Sequence, residues 1–216
     1  ATPVKKNLFD TDENSKALTN SERETFHSIV VKLLYVSKRG RPDIQLAVAF
    51  LCTRVKPPDT DDNKMLGRLM NDLEATVGLP PVLRMDKTGR IRWYIDAAFA
   101  VHNDMKSHTG AVMTLGTGAA KSQSSKQKLN TKRSTESEFV GVDDVISQVI
   151  WTRYFLEAQN ETIHDNTVYQ DNQSAIKLEK NGTKSSGKRT RHINIRYFFV
   201  TDRISADELN VEYCPT

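Results

Sequence analysis

The stretch TESEFVGVDDVISQVIWTRYFLEAQ, residues 135–159, decides the fold because it has the period and length of one long helix between strand-like segments. Steps of four, three and four residues from Glu138 reach Val142, Val145 and Val149. Glu138 therefore heads the apolar stripe that faces the core. Glu136 lies about 200° around the helix from Glu138 and cannot share that face. The pattern predicts that Glu138 points at a sheet, although an acid favoured by the helix dipole stays open as an alternative.

Strand-like segments lie on both sides of this helix. They are short, rich in β-branched and aromatic residues, and separated by turn residues. Before the helix we predict strands at 91–101 (IRWYIDAAFAV), 109–118 (TGAVMTLGTG) and 120–127 (AKSQSSKQ). After it we predict a strand at 167–172 (TVYQDN), helices at 174–181 (SAIKLEKN) and 192–208 (HINIRYFFVTDRISADE), and a last strand at 209–216 (LNVEYCPT). The order β-β-β-α-β-α-α-β predicts an α/β fold.

The first part of the chain has a different texture. From Ser21 to Leu79 apolar residues recur at helical spacing in three runs, and Pro57-Pro58 separates the second from the third. Pro80-Pro81 then interrupts the chain, and the boundary is expected between Gly78 and Gly89. The sequence therefore predicts a helical region over residues 1–80 and an α/β domain over residues 89–216.

Composition excludes several classes of protein. Hydrophobic residues make up 38% and charged residues 27%, as in a soluble globular protein, and no apolar run reaches the roughly 20 residues of a membrane span. The first residues lack the apolar core of a secretory signal. The two cysteines, Cys52 and Cys214, lie far apart, so we expect a reducing compartment without a disulfide framework or zinc cluster.

Lys and Arg crowd into two stretches, although the net charge is only +4. Such clusters favour a surface for phosphates, but many are simply solvated faces. The two sets are Lys121, Lys126, Lys128, Lys132 and Arg133, and Lys177, Lys180, Lys184, Lys188, Arg189 and Arg191.

Two aspartates join Glu138 as candidate ligands. Asp96 lies inside an apolar strand, where a carboxylate is costly unless it is paired or binds a metal. The alternative is an Asp on the solvent face of an edge strand. Asp171 ends a strand just before a helix, where ligands gather in α/β sheets, although it could instead cap that helix. Three carboxylates at one sheet end form a hard oxygen set that suits Mg²⁺ or Mn²⁺.

Two other chemistries are disfavoured. Asp143-Asp144 resembles the paired aspartates of polymerases, but it falls inside the long helix and not in a hairpin. The five histidines show no paired metal spacing and no serine or cysteine partner. The sequence therefore disfavours nucleophilic catalysis.

The motifs, taken in order, resemble the C-terminal part of the Pol polyprotein of copia-type LTR retrotransposons, namely the reverse-transcriptase connection region followed by ribonuclease H. The resemblance runs nearly end to end. The first region carries FHSIVVKLLYVSKRGRPDIQLAVAFLCTRV, with the RPDI motif. The second carries YIDAAFAVH, SHTGAVM, SSKQK, TKRSTESEFVGV, YQDNQSAI, RTRHINIRYFFV and LNVEYCPT.

The resemblance implies an RNase H-like fold, a five-stranded mixed sheet flanked by helices, preceded by a mainly helical connection region. It places the catalytic acids and metal ligands at Asp96, Glu138 and Asp171, with two Mg²⁺ or Mn²⁺ ions as cofactors. The implied reaction is hydrolysis of the RNA strand of an RNA–DNA hybrid, with Asp96 bridging the ions. The residues expected to bind nucleic acid are Ser124, Ser125, Lys126, Asn172, Gln173, Lys188, Arg189 and Arg191.

Two partners are implied: the RNA–DNA hybrid and the reverse-transcriptase polymerase domain of the same polyprotein. The implied location is cytoplasmic, in virus-like particles, without membrane contact. An alternative from a different class is a non-catalytic connection or tether module that only binds the template–primer hybrid. An integrase-type nuclease shares the fold, but a helix-borne Glu between two strand-borne Asp residues argues against it.

The sequence departs from the family's pattern at two places. Asn194 stands where copia elements usually have an Asp two residues after the His of the motif. The fourth acid that RNase H enzymes usually carry on a helix after the last strand is missing from a sequence that ends Cys214-Pro215-Thr216. We expect a fragment, a substitute among Asp202, Asp207 and Glu208, or a weakened second metal site.

Overall fold

The computed structural model describes residues 3, 8–12, 14–79, 81–181 and 199–215. The chain divides into two compact units, Ala1–Val82 with Ser122–Lys126, and Leu83–Lys121 with Gln127–Thr216. No helix among the described residues combines the length and the apolar character that crossing a membrane requires.

The first unit contains three helices, α1 (Asn20–Arg39), α2 (Gln45–Thr53) and α3 (Thr60–Ala75), as the apolar spacing predicted. Both α1 and α3 begin with a capping box, in which the N-cap side chain and an acid three residues later satisfy backbone N–H groups. Their inward faces form one apolar core that includes Phe26, Val48, Leu51 and Leu69.

The second predicted helix is shorter than its sequence pattern. Pro42–Ile44 forms a 3₁₀ turn, because Pro42 fits the first turn and Arg41 pairs with Asp43 at 2.7 Å. The helix itself starts at Gln45 and ends at Thr53, before Pro57 is reached.

A mixed five-stranded sheet organises the second unit. Its strands are β1 (Arg90–Ala98), β2 (His108–Thr114), β3 (Lys121–Lys126), β4 (Asp165–Gln170) and β5 (Asn210–Tyr213), in the order β3-β2-β1-β4-β5. Strand β1 runs antiparallel to β2 and parallel to β4, which is parallel to β5. The sheet is therefore the predicted one, with β1 at its centre. Most of strand β3, Ser122–Lys126, belongs to the first compact unit.

Helices α4 (Ser134–Ala158) and α5 (Gln173–Asn181) complete the described fold together with a helical segment at 199–205. Residues 192–198 of the helix predicted for 192–208 lie outside the described residues, whereas 206–208 form a turn, so the helix ends three residues before its predicted end. A ribbon of Arg84–Met85 with Gly116–Thr117 was not predicted, because two-residue strands are too short to show a period.

Helix α4 lies close to the sheet along its stripe of Phe139, Val142, Val145 and Val149, which are all fully buried. At Gly141 the helix is close enough to the sheet that an added Cβ would be in ordinary van der Waals contact, at 3.6 Å, with the Ala97 Cβ, the Ile95 Cγ2 and the Thr109 Cγ2. The contact brings the first turns of α4 to the carboxyl end of β1.

Candidate active site

Three carboxylates converge at one end of the central strands. One carboxylate oxygen from each of Asp96, Glu138 and Asp171 lies within 4.8 Å of the others. Tyr94 pairs with Tyr169 across the parallel strands β1 and β4, so Asp96 and Asp171, each two residues further on, are level with each other. Glu138 comes from the second turn of α4. The structure thus brings together the three residues that the sequence singled out.

The structure also decides between the alternatives for the two aspartates. Asp96 is exposed, but its strand is central, so the edge-strand interpretation is wrong. Asn172, and not Asp171, caps α5: its Oδ1 accepts hydrogen bonds from the backbone N–H groups of Ser174 at 3.0 Å and Ala175 at 3.1 Å. Capping therefore does not explain Asp171.

Glu138 is the buried member of the cluster. Glu138 is only 6% exposed, and its Oε2 has no hydrogen-bond partner among the residues that the structure describes. Burial and the neighbouring charges of Asp96 and Asp171 raise the pKa of Glu138 to about 8, against the opposing effect of a backbone hydrogen bond from Ala97. Glu138 is a buried carboxylate with an unpartnered oxygen and two acidic neighbours. A bound divalent cation would offset the repulsion among these three negative charges. The donor set fits Mg²⁺ or Mn²⁺.

Two buried glutamines hold the first two turns of α4 against the sheet. The Gln170 Nε2 donates to the Glu138 main-chain oxygen at 3.2 Å. The Gln127 Nε2 donates to the Ser137 main-chain oxygen at 2.9 Å and to the Thr109 Oγ1 at 3.0 Å. Sequence periodicity did not single out either residue, because their roles depend on which backbone they meet after folding.

Glu136 has a local role near the N-terminus of α4 and is not part of the carboxylate cluster. Its Oε2 accepts a hydrogen bond from the Lys132 backbone N–H at 2.8 Å. Glu136 therefore stabilises the backbone just before α4.

The three residues considered as substitutes for the fourth acid are placed elsewhere. Asp202 pairs with Arg203, and Glu208 pairs with Arg203 at 3.1 Å and accepts a hydrogen bond from the Tyr154 hydroxyl. Asp207 is exposed in a turn with φ 57°. None of them joins the carboxylate cluster in the described part of the chain.

The residues predicted to bind nucleic acid fall into three groups. Ser124, Ser125 and Lys126 are half-buried on the edge strand β3. Gln173 is exposed at the start of α5, next to the capping Asn172. Lys188, Arg189 and Arg191 lie outside the described residues. Contact of any of these with nucleic acid stays a prediction.

Comparison with family models gives no match. The chain is 29% identical over 200 residues to the retrovirus-related Pol polyprotein from transposon TNT 1-94 of Nicotiana tabacum, a match that covers 89% of this chain and 14% of the relative. It is also 29% identical over 193 residues to that from transposon RE2 of Arabidopsis thaliana, covering 88% of this chain and 13% of the relative. The chain thus spans about a seventh of the length of these relatives.

Among solved structures, the chain is similar to a foamy viral protease-reverse transcriptase in complex with an RNA/DNA hybrid. The TM-score is 0.51 at 10% identity, and the match covers 96% of this chain and 26% of the other. At this identity the likeness shows the fold alone. The chain is thus similar to the retrovirus-related Pol polyproteins of plant transposons, as its copia-type motifs predicted, and its five-stranded mixed sheet flanked by helices is the RNase H-like arrangement that the resemblance implied.

Proposed function

We propose that the chain is a ribonuclease H that hydrolyses the RNA strand of RNA–DNA hybrids during reverse transcription of a retrotransposon. The observation that carries the proposal is the convergence of Asp96, Glu138 and Asp171, whose oxygens lie within 4.8 Å of one another. A second support is the buried Glu138 Oε2, which no described hydrogen-bond donor satisfies. A tether module gains nothing from concentrating three carboxylates in this way.

The three carboxylates would hold two Mg²⁺ or Mn²⁺ ions. Two bound ions supply an activated water and a stabilised leaving 3′ oxygen in phosphodiester hydrolysis. Glu138 must lose its proton before it can act as a ligand, and its pKa of about 8 in the metal-free site makes cation binding dependent on pH. Asp96, at the carboxyl end of the central strand, would hold the ions together with Asp171 after β4 and Glu138 on α4.

The hybrid substrate is supported by relatives and by chemistry. The foamy viral protein of the same fold is described in complex with an RNA/DNA hybrid, and the Pol relatives belong to transposons. Lys128, Lys132 and Arg133 are exposed just before α4, in the segment that leads to Glu138. Such cations contact phosphates without reading sequence, so binding should weaken as salt rises. We also propose that the polymerase domain of the same polyprotein is a partner of this chain, and that both act in cytoplasmic virus-like particles.

The test is a cleavage assay on a labelled RNA–DNA hybrid, with double-stranded RNA and double-stranded DNA as comparisons and Mg²⁺ or Mn²⁺ added in turn. A bacterial RNase H confirms that the substrate can be digested. We expect cleavage of the RNA strand of the hybrid only. Intact hybrid with either metal, beside digestion by the bacterial enzyme, would overturn the proposal.

A non-catalytic tether remains the second candidate, because only three acids form the cluster in the described part of the chain. Hybrid binding without any cleavage, in wild type and Asp96→Asn alike, would favour the tether.

A further inference from the structure

Gln127 is a buried polar residue that takes no part in the proposed chemistry. It comes directly after β3 and is 1% exposed. A glutamine amide has two N–H donors, and here both have an acceptor. One donates to the Thr109 Oγ1 at 3.0 Å and the other to the Ser137 main-chain oxygen at 2.9 Å. A single side chain therefore joins strand β2 to helix α4.

The backbone of Gln127 is held at the same place. Its main-chain N–H donates to the Ser107 main-chain oxygen at 2.9 Å, directly before β2 begins. Ser107 and Thr109 are both 0% exposed, so these bonds lie in the interior, away from competing water. The amide is thus fixed at its base by the start of β2 and at its tip by β2 and α4. Gln127 therefore sets the distance between this strand and the first turns of the helix.

Both groups that the Gln127 amide contacts are next to an acid of the carboxylate cluster. Ser137 directly precedes Glu138 in α4. Thr109 lies opposite the residue that follows Asp96 in the central strand β1. The amide consequently connects the backbone beside one acid to the strand pair that carries another.

The spacing of the carboxylates determines how well they bind a cation. Their oxygens lie within 4.8 Å of one another. Mg²⁺ requires oxygen ligands at about 2.0–2.1 Å in near-octahedral geometry, so a site that is wrong by about 1 Å binds poorly. Glu138 is the acid that comes from a helix and not from the sheet, so its distance from Asp96 depends on the bonds between α4 and the strands.

We propose that Gln127 is a positioning residue for the metal centre: its amide holds the turn of α4 that carries Glu138 against the strand pair that carries Asp96. The proposal rests on the proposed function, since it treats both acids as metal ligands. Groups that orient a metal ligand typically change metal affinity or activity by about 10–100-fold when they are lost. Gln127 acts at the lower end of this range, because it contacts the main chain beside a ligand and not the ligand carboxylate.

Asn166 provides a matched control for the loss of a buried amide. It is 3% exposed, and its Nδ2 donates to the Val149 main-chain oxygen of α4 at 3.4 Å and to the Glu208 main-chain oxygen at 3.0 Å. Val149 lies roughly 16 Å along the helix from Glu138, at about 1.5 Å per residue. Replacing Asn166 should therefore weaken the packing of α4 without moving the metal ligands.

The test compares Gln127→Met, which keeps the length of the side chain but removes both donors, with Asn166→Leu. Urea unfolding in EDTA measures stability, and calorimetry measures Mn²⁺ binding to the full chain without nucleic acid. We expect both variants to be less stable than wild type, but only Q127M to bind Mn²⁺ about tenfold more weakly. In cleavage assays Q127M should need about tenfold more Mn²⁺ to reach half of its maximal kcat, with the KM for hybrid unchanged.

Wild-type Mn²⁺ affinity in Q127M would overturn the proposal. An N166L variant that binds Mn²⁺ as weakly as Q127M would also overturn it, since general destabilisation would then explain both results. If Q127M does not fold, as judged by circular dichroism, Thr109→Val, which removes only the hydroxyl that Gln127 contacts, carries the same expectation. A wild-type chain that binds Mn²⁺ but leaves hybrid uncut would refute the proposed function while the calorimetry still tests Gln127.

Discussion

Replacing Glu138 by Gln should stabilise the metal-free protein at neutral and alkaline pH. Burial and two neighbouring charges raise the pKa of this carboxyl to about 8 in the folded chain, from an ordinary value of 4.5. The unfolded chain therefore releases a proton as the pH rises through about 4.5, whereas the folded chain keeps it until about 8. Folding stability falls across this window, and a glutamine, which has no such proton, escapes the loss.

The loss of folding stability can be worked out from the two pKa values of Glu138, 4.5 in the unfolded chain and about 8 in the folded chain. One pH unit corresponds to about 1.4 kcal/mol, so the wild-type chain loses up to about 3 kcal/mol by pH 7 and up to about 5 kcal/mol above pH 8. These figures are upper bounds, because solvent and small shifts of the site screen the charges. The advantage of E138Q should vanish near pH 4.5, where Glu138 is protonated in both states.

Urea unfolding in EDTA at pH 5, 7 and 8 measures this difference, with replacement of the exposed Glu161 by Gln as control. Added Mg²⁺ should then reverse the order, because it stabilises only the chain that binds it. An E138Q variant that is no more stable than wild type at pH 8, or whose advantage is the same at every pH, would refute the electrostatic argument.

Three further predictions concern single side chains. Asp96→Asn should lower hybrid cleavage by more than about 100-fold, beyond the loss of a group that merely supports a ligand, while gel-shift affinity for the hybrid is retained. Asn172→Ala should cost about 1 kcal/mol of unfolding free energy in urea, because α5 loses its cap; an unchanged midpoint would contradict that role. Gly141→Ala should be tolerated, since its Cβ meets neighbours at 3.6 Å, whereas Gly141→Leu should cost about 1–3 kcal/mol by thermal melting.

The sequence predicted some residues of the site more fully than others. Glu138 could be found from the helical period alone, because the apolar stripe of one helix depends only on nearby residues in the sequence. Asp171 could not be separated from Asn172 as the helix cap, since both residue types favour that position and adjacent side chains share the same local sequence. Only the structure shows that Asn172 caps α5 and that Asp171 joins the carboxylates.

The residues that were missed depend on tertiary contacts. Gln127 and Gln170 look like ordinary polar residues until the main-chain oxygens that they contact are known. Glu179 is also fully buried, on the same face of α5 as Ala175 and Ile176, and its helical spacing from them is the sequence signal that could have indicated this.

The parallel pairing of β1 with β4 has a consequence for how the chain acquires activity. Parallel neighbours need a long crossover between them, and here the crossover includes α4, which carries the third acid. Closing this loop brings Asp96, Glu138 and Asp171 together. Contacts between residues that are this far apart in the sequence form slowly during folding. A chain emerging from the ribosome would therefore hold no assembled carboxylate cluster until β4 has paired with β1.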